Sequence, residues 1–124
     1  MQLKVTVNGF PPKPLLRAYI TRRIHFALDR FERHIERVIV HLTDLNGPRK
    51  GDDKRCRIAV EFRRGGDLMV TETRSDEMAA VYFAAARLQY RIANRMVSAR
   101  ASREKSSIRT ADVMEESQYG RSYH

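Results

Sequence analysis

Arg87, Arg91 and Arg95 follow one another at i, i+4 and i+8 within Asp76 to Val97, DEMAAVYFAAARLQYRIANRMV. On a helix, residues four apart share a flank, so the three guanidinium groups form a row. Guanidinium stays charged at any working pH and meets phosphate oxygens as a fork, which suits such a row to a polyanion. The plainer assignment is a solvated flank. A second set, Tyr19, Arg22, Arg23, Phe26, Arg30 and Arg33, falls within roughly 100° of arc when a helix turns about 100° per residue. Rings interleaved with arginines offer a strand of RNA both stacking and phosphate pairing. The competing assignment packs Tyr19 and Phe26 against a neighbouring helix and leaves the arginines to trim its edge.

Other chemistries find little support. His25 and His34 point to opposite sides of one helix, His41 falls on a strand and His124 ends the chain. None pairs with another at metal-ligand spacing. Asp44, Asp52 and Asp53 share a polar loop that lacks the spacing and the closing glutamate of a calcium loop, so a structural or solvated role is expected. A metal-dependent hydrolase built on that loop is the enzyme alternative. No glycine-rich phosphate loop precedes a helix and no serine nucleophile motif occurs. The reading is therefore no enzyme, no cofactor, no metal and no small-molecule substrate. The one cysteine, Cys56, allows no internal disulfide and suits a reducing cytosol. It alternates with Ile58, Val60 and Phe62, as a small core residue would.

The chain has 124 residues, with Lys+Arg 24 against Asp+Glu 15 and a formal charge of +9. That length suits one main domain that folds without staples. A charge so positive points to nucleic acid or to an anionic membrane surface. No run of about 18 apolar residues is present, which speaks against a membrane. The start, MQLKVTVNGF, lacks the apolar core and small-residue cleavage site of a secretory signal. A cytoplasmic location is expected.

Several elements must position these residues. Gln2 to Val7 alternates apolar and polar side chains, as a half-buried strand does. After Asn8 to Pro14, the stripe Leu16, Ile20, Ile24, Ala27, Leu28, Phe31 and Ile35 predicts a helix from Leu15 to about Glu36, with Pro14 in its first turn. Alternation predicts strands at Val38 to Thr43 and Arg55 to Arg63, and a third follows from Leu68 to about Thr73. The Gly65-Gly66 pair makes the last two a hairpin. Ser75 can cap the closing helix, whose core stripe is Met78, Val81, Tyr82, Ala85, Leu88, Gln89, Ile92 and Met96. Ala79, Ala86 and Ala93 would let it approach the first helix closely. The order is β-α-β-β-β-α, an α+β fold with a four-stranded mixed sheet. A right-handed crossover makes the first two strands parallel and leaves both helices on one face, with Lys4, His41, Arg57 and Thr71 on the wet one. Residues 1–98 form the folded domain in this reading, and 99–124 a flexible polar tail whose Arg100, Arg103, Lys105 and Arg109 could extend a phosphate footprint.

With this order, the stretches LLRAYITRRIHFALDRFERHIERVIVHL, DLNGPRKGDDKRCRIAVEF and DEMAAVYFAAARLQYRIANR resemble the bacterial ribosome hibernation promoting factors. That group includes ribosome-associated inhibitor A and is also called the sigma-54 modulation or S30EA family. The resemblance covers about Met1 to Arg100. It implies a fold like a double-stranded-RNA-binding domain, and a protein that occupies the mRNA and tRNA channel of the 30S subunit, silencing idle 70S ribosomes. It makes Arg22, Arg23, Arg30, Arg87, Arg91 and Arg95 the expected 16S rRNA contacts. Long members carry a further dimerisation domain that this chain lacks, so the short form is expected to be a monomer when free. A general double-stranded RNA binder acting away from ribosomes is the alternative within the same class.

Overall fold

A computed structural model describes residues 1–9, 13–45 and 53–108. The element order is strand β1 (Gln2–Asn8), helix α1 (Pro14–Leu28), a 3-10 helix (Asp29–His34), β2 (Ile35–Asp44), β3 (Lys54–Phe62), β4 (Asp67–Arg74) and helix α2 (Glu77–Ile108). The chain divides into two compact units, Met1–Gln89 and Tyr90–His124, the second containing the continuation of α2.

In the first unit the strands lie in the order β1-β2-β3-β4. β1 runs parallel to β2, and the other two pairings are antiparallel. A parallel pair needs a crossover, which α1 supplies. Register aligns Leu3, Val38, Val60 and Leu68 in one row and Val5, Val40, Ile58 and Val70 in the next. These rows face the helices. Val38, Val40, Ile58, Val60 and Val70 of these rows are buried together with Ile20, Ile24 and Leu28 of α1 and Ala80, Val81, Ala84 and Leu88 of α2. Each fully buried aliphatic side chain contributes about 1.5–3 kcal/mol relative to exposure. The fold class and the mixed sheet with two helices agree with the sequence reading.

Three boundaries differ from it. α1 ends at Leu28, not near Glu36, and Asp29–His34 tighten into a 3-10 helix before Ile35 opens β2. Phe31 and Ile35 keep helical spacing, but Ile35 pairs with Phe62, and the backbone N–H of Arg63 donates to the His34 carbonyl at 2.9 Å. The sheet therefore takes the β-branched run that the helix period also fits. At its start α2 is capped by Asp76, not Ser75. The Ala79 backbone N–H donates to Asp76 Oδ2 at 2.9 Å, and the Ala80 N–H to the Asp76 carbonyl at 3.0 Å. At the other end α2 runs on to Ile108, beyond Val97 where the apolar period fades. Residues 109–124 lie outside the described residues, and with them Arg109 of the expected tail.

The α2 stripe is also rotated. Ala80, Ala84 and Ala85 are buried, whereas Ala86 is exposed. Met78 and Tyr82, read from the sequence as core, stand 45% and 46% exposed. The rotation turns an aromatic edge outward.

Two turns use glycine at positive φ. Gly9 has φ +85°, and a Cβ there would come within 3.1 Å of Asp44. Gly65 and Gly66, at φ 94° and 90°, turn the β3–β4 hairpin as the sequence predicts. Among the described residues, no helix is long and apolar enough to cross a membrane.

Candidate nucleic-acid interface

α1 presents Tyr19, Arg22, Arg23 and Phe26 on consecutive turns away from its buried stripe. The Arg22 guanidinium lies 5.8 Å from the Tyr19 ring centre. Arg23 lies between two rings, 5.0 Å from Phe26 and 4.8 Å from Tyr82 of α2. Its Nε is shut off from solvent and has no hydrogen-bond partner among the described residues. Rings attract cations through their π faces, which holds the guanidinium in place without neutralising it. Phe26 is 69% exposed, so its outer face is open to a base.

The ribbon continues along α2 and β4. Tyr82 and Phe83 meet edge to face, with ring centres 5.3 Å apart. Arg74, at the end of β4, lies 4.4 Å from the Phe83 ring. Glu72 then joins two arginines, accepting from Arg74 and from Arg87 at 2.8 Å each. Arg87 is thus not the unpaired cation its spacing suggests. One carboxylate shared by two guanidinium groups leaves a net positive charge, and the Arg87 side chain remains 55% exposed.

Arg30 is placed by the 3-10 helix, over the edge of the core at 4.7 Å from Phe31. Because α1 has ended, the helical arc expected to carry Arg30 and Arg33 alongside Arg22 does not extend to them. Arg22 and Arg30 are exposed, and no described carboxylate pairs with either. Arg91 and Arg95 belong to the second unit, where Arg91 is exposed and Arg95 half-buried.

The structure therefore gathers Arg22, Arg23 and Arg87 with residues that sequence reasoning missed: Arg74, Glu72, Phe83 and the outward Tyr82. A signal for two of them existed. Strand alternation that sends Thr71 and Thr73 to the wet face sends Glu72 and Arg74 toward the helices.

The loop carboxylates serve the fold. Lys54 Nζ donates to Asp53 Oδ1 at 2.7 Å and to Asp44 Oδ1 at 3.4 Å. The bond to Asp53 holds the Lys54 ammonium above its ordinary pKa. Asp52 lies outside the described residues. Among the described residues, no three His, Cys, Asp or Glu side chains gather to hold a metal ion. Cys56 is fully buried, and desolvation pushes its thiol up to about 12. It stays a neutral core residue.

Residues 3–98 match the family described as sigma 54 modulation protein / S30EA ribosomal protein. No curated protein sequence matches the chain. Among solved structures, the fold is similar to the N-terminal domain of Protein Y from Thermus thermophilus, with a TM-score of 0.60 and 23% identity over 74% of this chain and 96% of that one. It is also similar to a ribosomal subunit interface protein from Coxiella burnetii, with a TM-score of 0.65 and 14% identity over 78% of this chain and 99% of that one.

Proposed function

Since the chain belongs to the sigma 54 modulation / S30EA family of non-enzymatic, ribosome-associated modulation proteins, we propose that it silences idle ribosomes by occupying the mRNA and tRNA channel of the 30S subunit. Residues 1–98 make up the ribosome-binding part. Arg22, Arg23, Arg30, Arg87, Arg91 and Arg95 face 16S rRNA, in the 30S subunit and in the 70S ribosome. The observation that carries this reading is Arg23, held between Phe26 and Tyr82 beside the exposed Arg22. Such a surface pairs phosphates through guanidinium and stacks bases on rings.

The mechanism is exclusion. A small body of charge +9 enters a channel walled by RNA and displaces condensed counterions with its arginines. Its volume then keeps message and tRNA out, and no covalent bond forms or breaks. The family and the absence of any disulfide partner for Cys56 support a cytoplasmic site of action.

Co-sedimentation with purified 30S subunits tests the proposal. Wild type should pellet with them, and R22E/R30E, which touches only exposed side chains, should largely stay behind. Equal pelleting of the two would contradict the assignment. Displacement of wild type by free duplex RNA would instead favour a general RNA binder.

A further inference from the structure

The face of the sheet turned away from the helices is not electrically uniform. At one end carboxylates and arginines offset each other, as Arg37 of β2 meets Glu61 of β3 at 3.6 Å. Toward the other end the charges are all positive. There His41, Thr43, Arg55 and Arg57 line a shallow concavity of about 130 Å³. Register builds it, because His41 lies opposite Arg57 and Thr43 opposite Arg55 on neighbouring strands. The same two rows are completed by Thr6 and Thr71, and by Asn8 and Thr73. They hold hydroxyls, an amide, an imidazole and two guanidinium groups, and no carboxylate.

The other described arginines at the strands have acidic partners: Arg37 with Glu61, Arg63 with Glu36 and Arg74 with Glu72. Arg55 and Arg57 pair with no described carboxylate. The Arg57 Nε is moreover shut off from solvent without a hydrogen-bond partner among the described residues. Such a donor is costly to leave unmatched, which makes an acceptor from outside the chain its natural complement. Arginines two apart on a strand project from the same face about 7 Å from one another. A chain of phosphates can follow that line, and flanking hydroxyls suit its oxygens.

We propose that this concavity is a second phosphate-binding site, taking the backbone of single-stranded RNA on the side of the sheet opposite the helices. The identity of that phosphate as RNA rests on the reading above; the oxyanion chemistry does not. With both faces engaged, the protein would bridge two RNA segments and not merely lie against one.

The test titrates the full, isotope-labelled chain with hexauridylate, and separately with inorganic phosphate at equal phosphate concentration, following the Arg Nε and backbone amide resonances. Hexauridylate should shift signals of His41, Thr43, Arg55 and Arg57 beyond anything phosphate alone produces. R55Q/R57Q should weaken that response about tenfold or more, the loss of charged hydrogen bonds. R22E/R30E should leave it intact. Absence of shifts at the sheet, or equal affinity in R55Q/R57Q with an unchanged melting temperature, would overturn the site. Shifts that phosphate alone reproduces in full would overturn its assignment to RNA. Loss of 30S binding in R22E/R30E without sheet shifts would sink this proposal and leave the helical one standing; the reverse pattern would do the opposite.

Discussion

At the scale of single residues, partners decide what a charge can do. Spacing alone made Arg87 look free, yet Glu72 holds it, and only the pairing of β4 beside α2 reveals that. Arg57 could be assigned to the wet face from alternation, but its place opposite His41 depends on register, which one strand's sequence does not carry. Cys56, by contrast, was legible, because it opens the alternating apolar row Ile58, Val60 and Phe62, and it is indeed buried. Glu77 offers a pH test. Its carboxylate accepts from Lys13 Nζ at 3.0 Å, and that bond holds its pKa below the ordinary glutamate value. A depressed folded pKa means that the unfolded chain binds more protons through the window between the two values, so stability rises with pH there. The contribution should be complete above about pH 4.3 and vanish as pH falls through the folded value. Urea denaturation of E77Q should show a deficit at neutral pH that shrinks in acid. A deficit independent of pH would show that the ion pair is not its source.

At the scale of elements, strands and hairpin were readable because period-two alternation and a Gly-Gly turn admit few alternatives. Helix ends were not. Phe31 and Ile35 satisfy the helical period, so nothing local announces that the chain leaves α1 at Leu28; the pairing of Ile35 with Phe62 does. The α2 start turns on a similar competition, between Ser75 and Asp76 as adjacent capping candidates. Asp76 makes the bond to Ala79. Asp76→Ala should therefore cost about 1 kcal/mol in chemical denaturation, whereas Ser75→Ala should stay within about 0.5 kcal/mol, as surface changes usually do. A larger loss from Ser75→Ala than from Asp76→Ala would return the cap to Ser75. The outward turn of Tyr82 has the same origin, since Ala80, Ala84 and Ala85 fit the sheet more closely than an aromatic side chain. The seam chosen for close packing thereby frees a ring for Arg23.

For the whole molecule, a formal charge of +9 makes the proposed binding an electrostatic event. If about six phosphates are neutralised, a fourfold rise in salt should weaken 30S binding roughly a thousandfold. A filter-binding or sedimentation isotherm at several salt concentrations measures that slope, and a nearly flat line would remove counterion release from the account. The central claim concerns place as well as charge. Hydroxyl-radical footprinting of 16S rRNA in 30S subunits, with and without the protein, tests it most directly. Protection of the nucleotides that mRNA and tRNA themselves protect is the predicted result. A footprint confined to the outer surface of the subunit would contradict it.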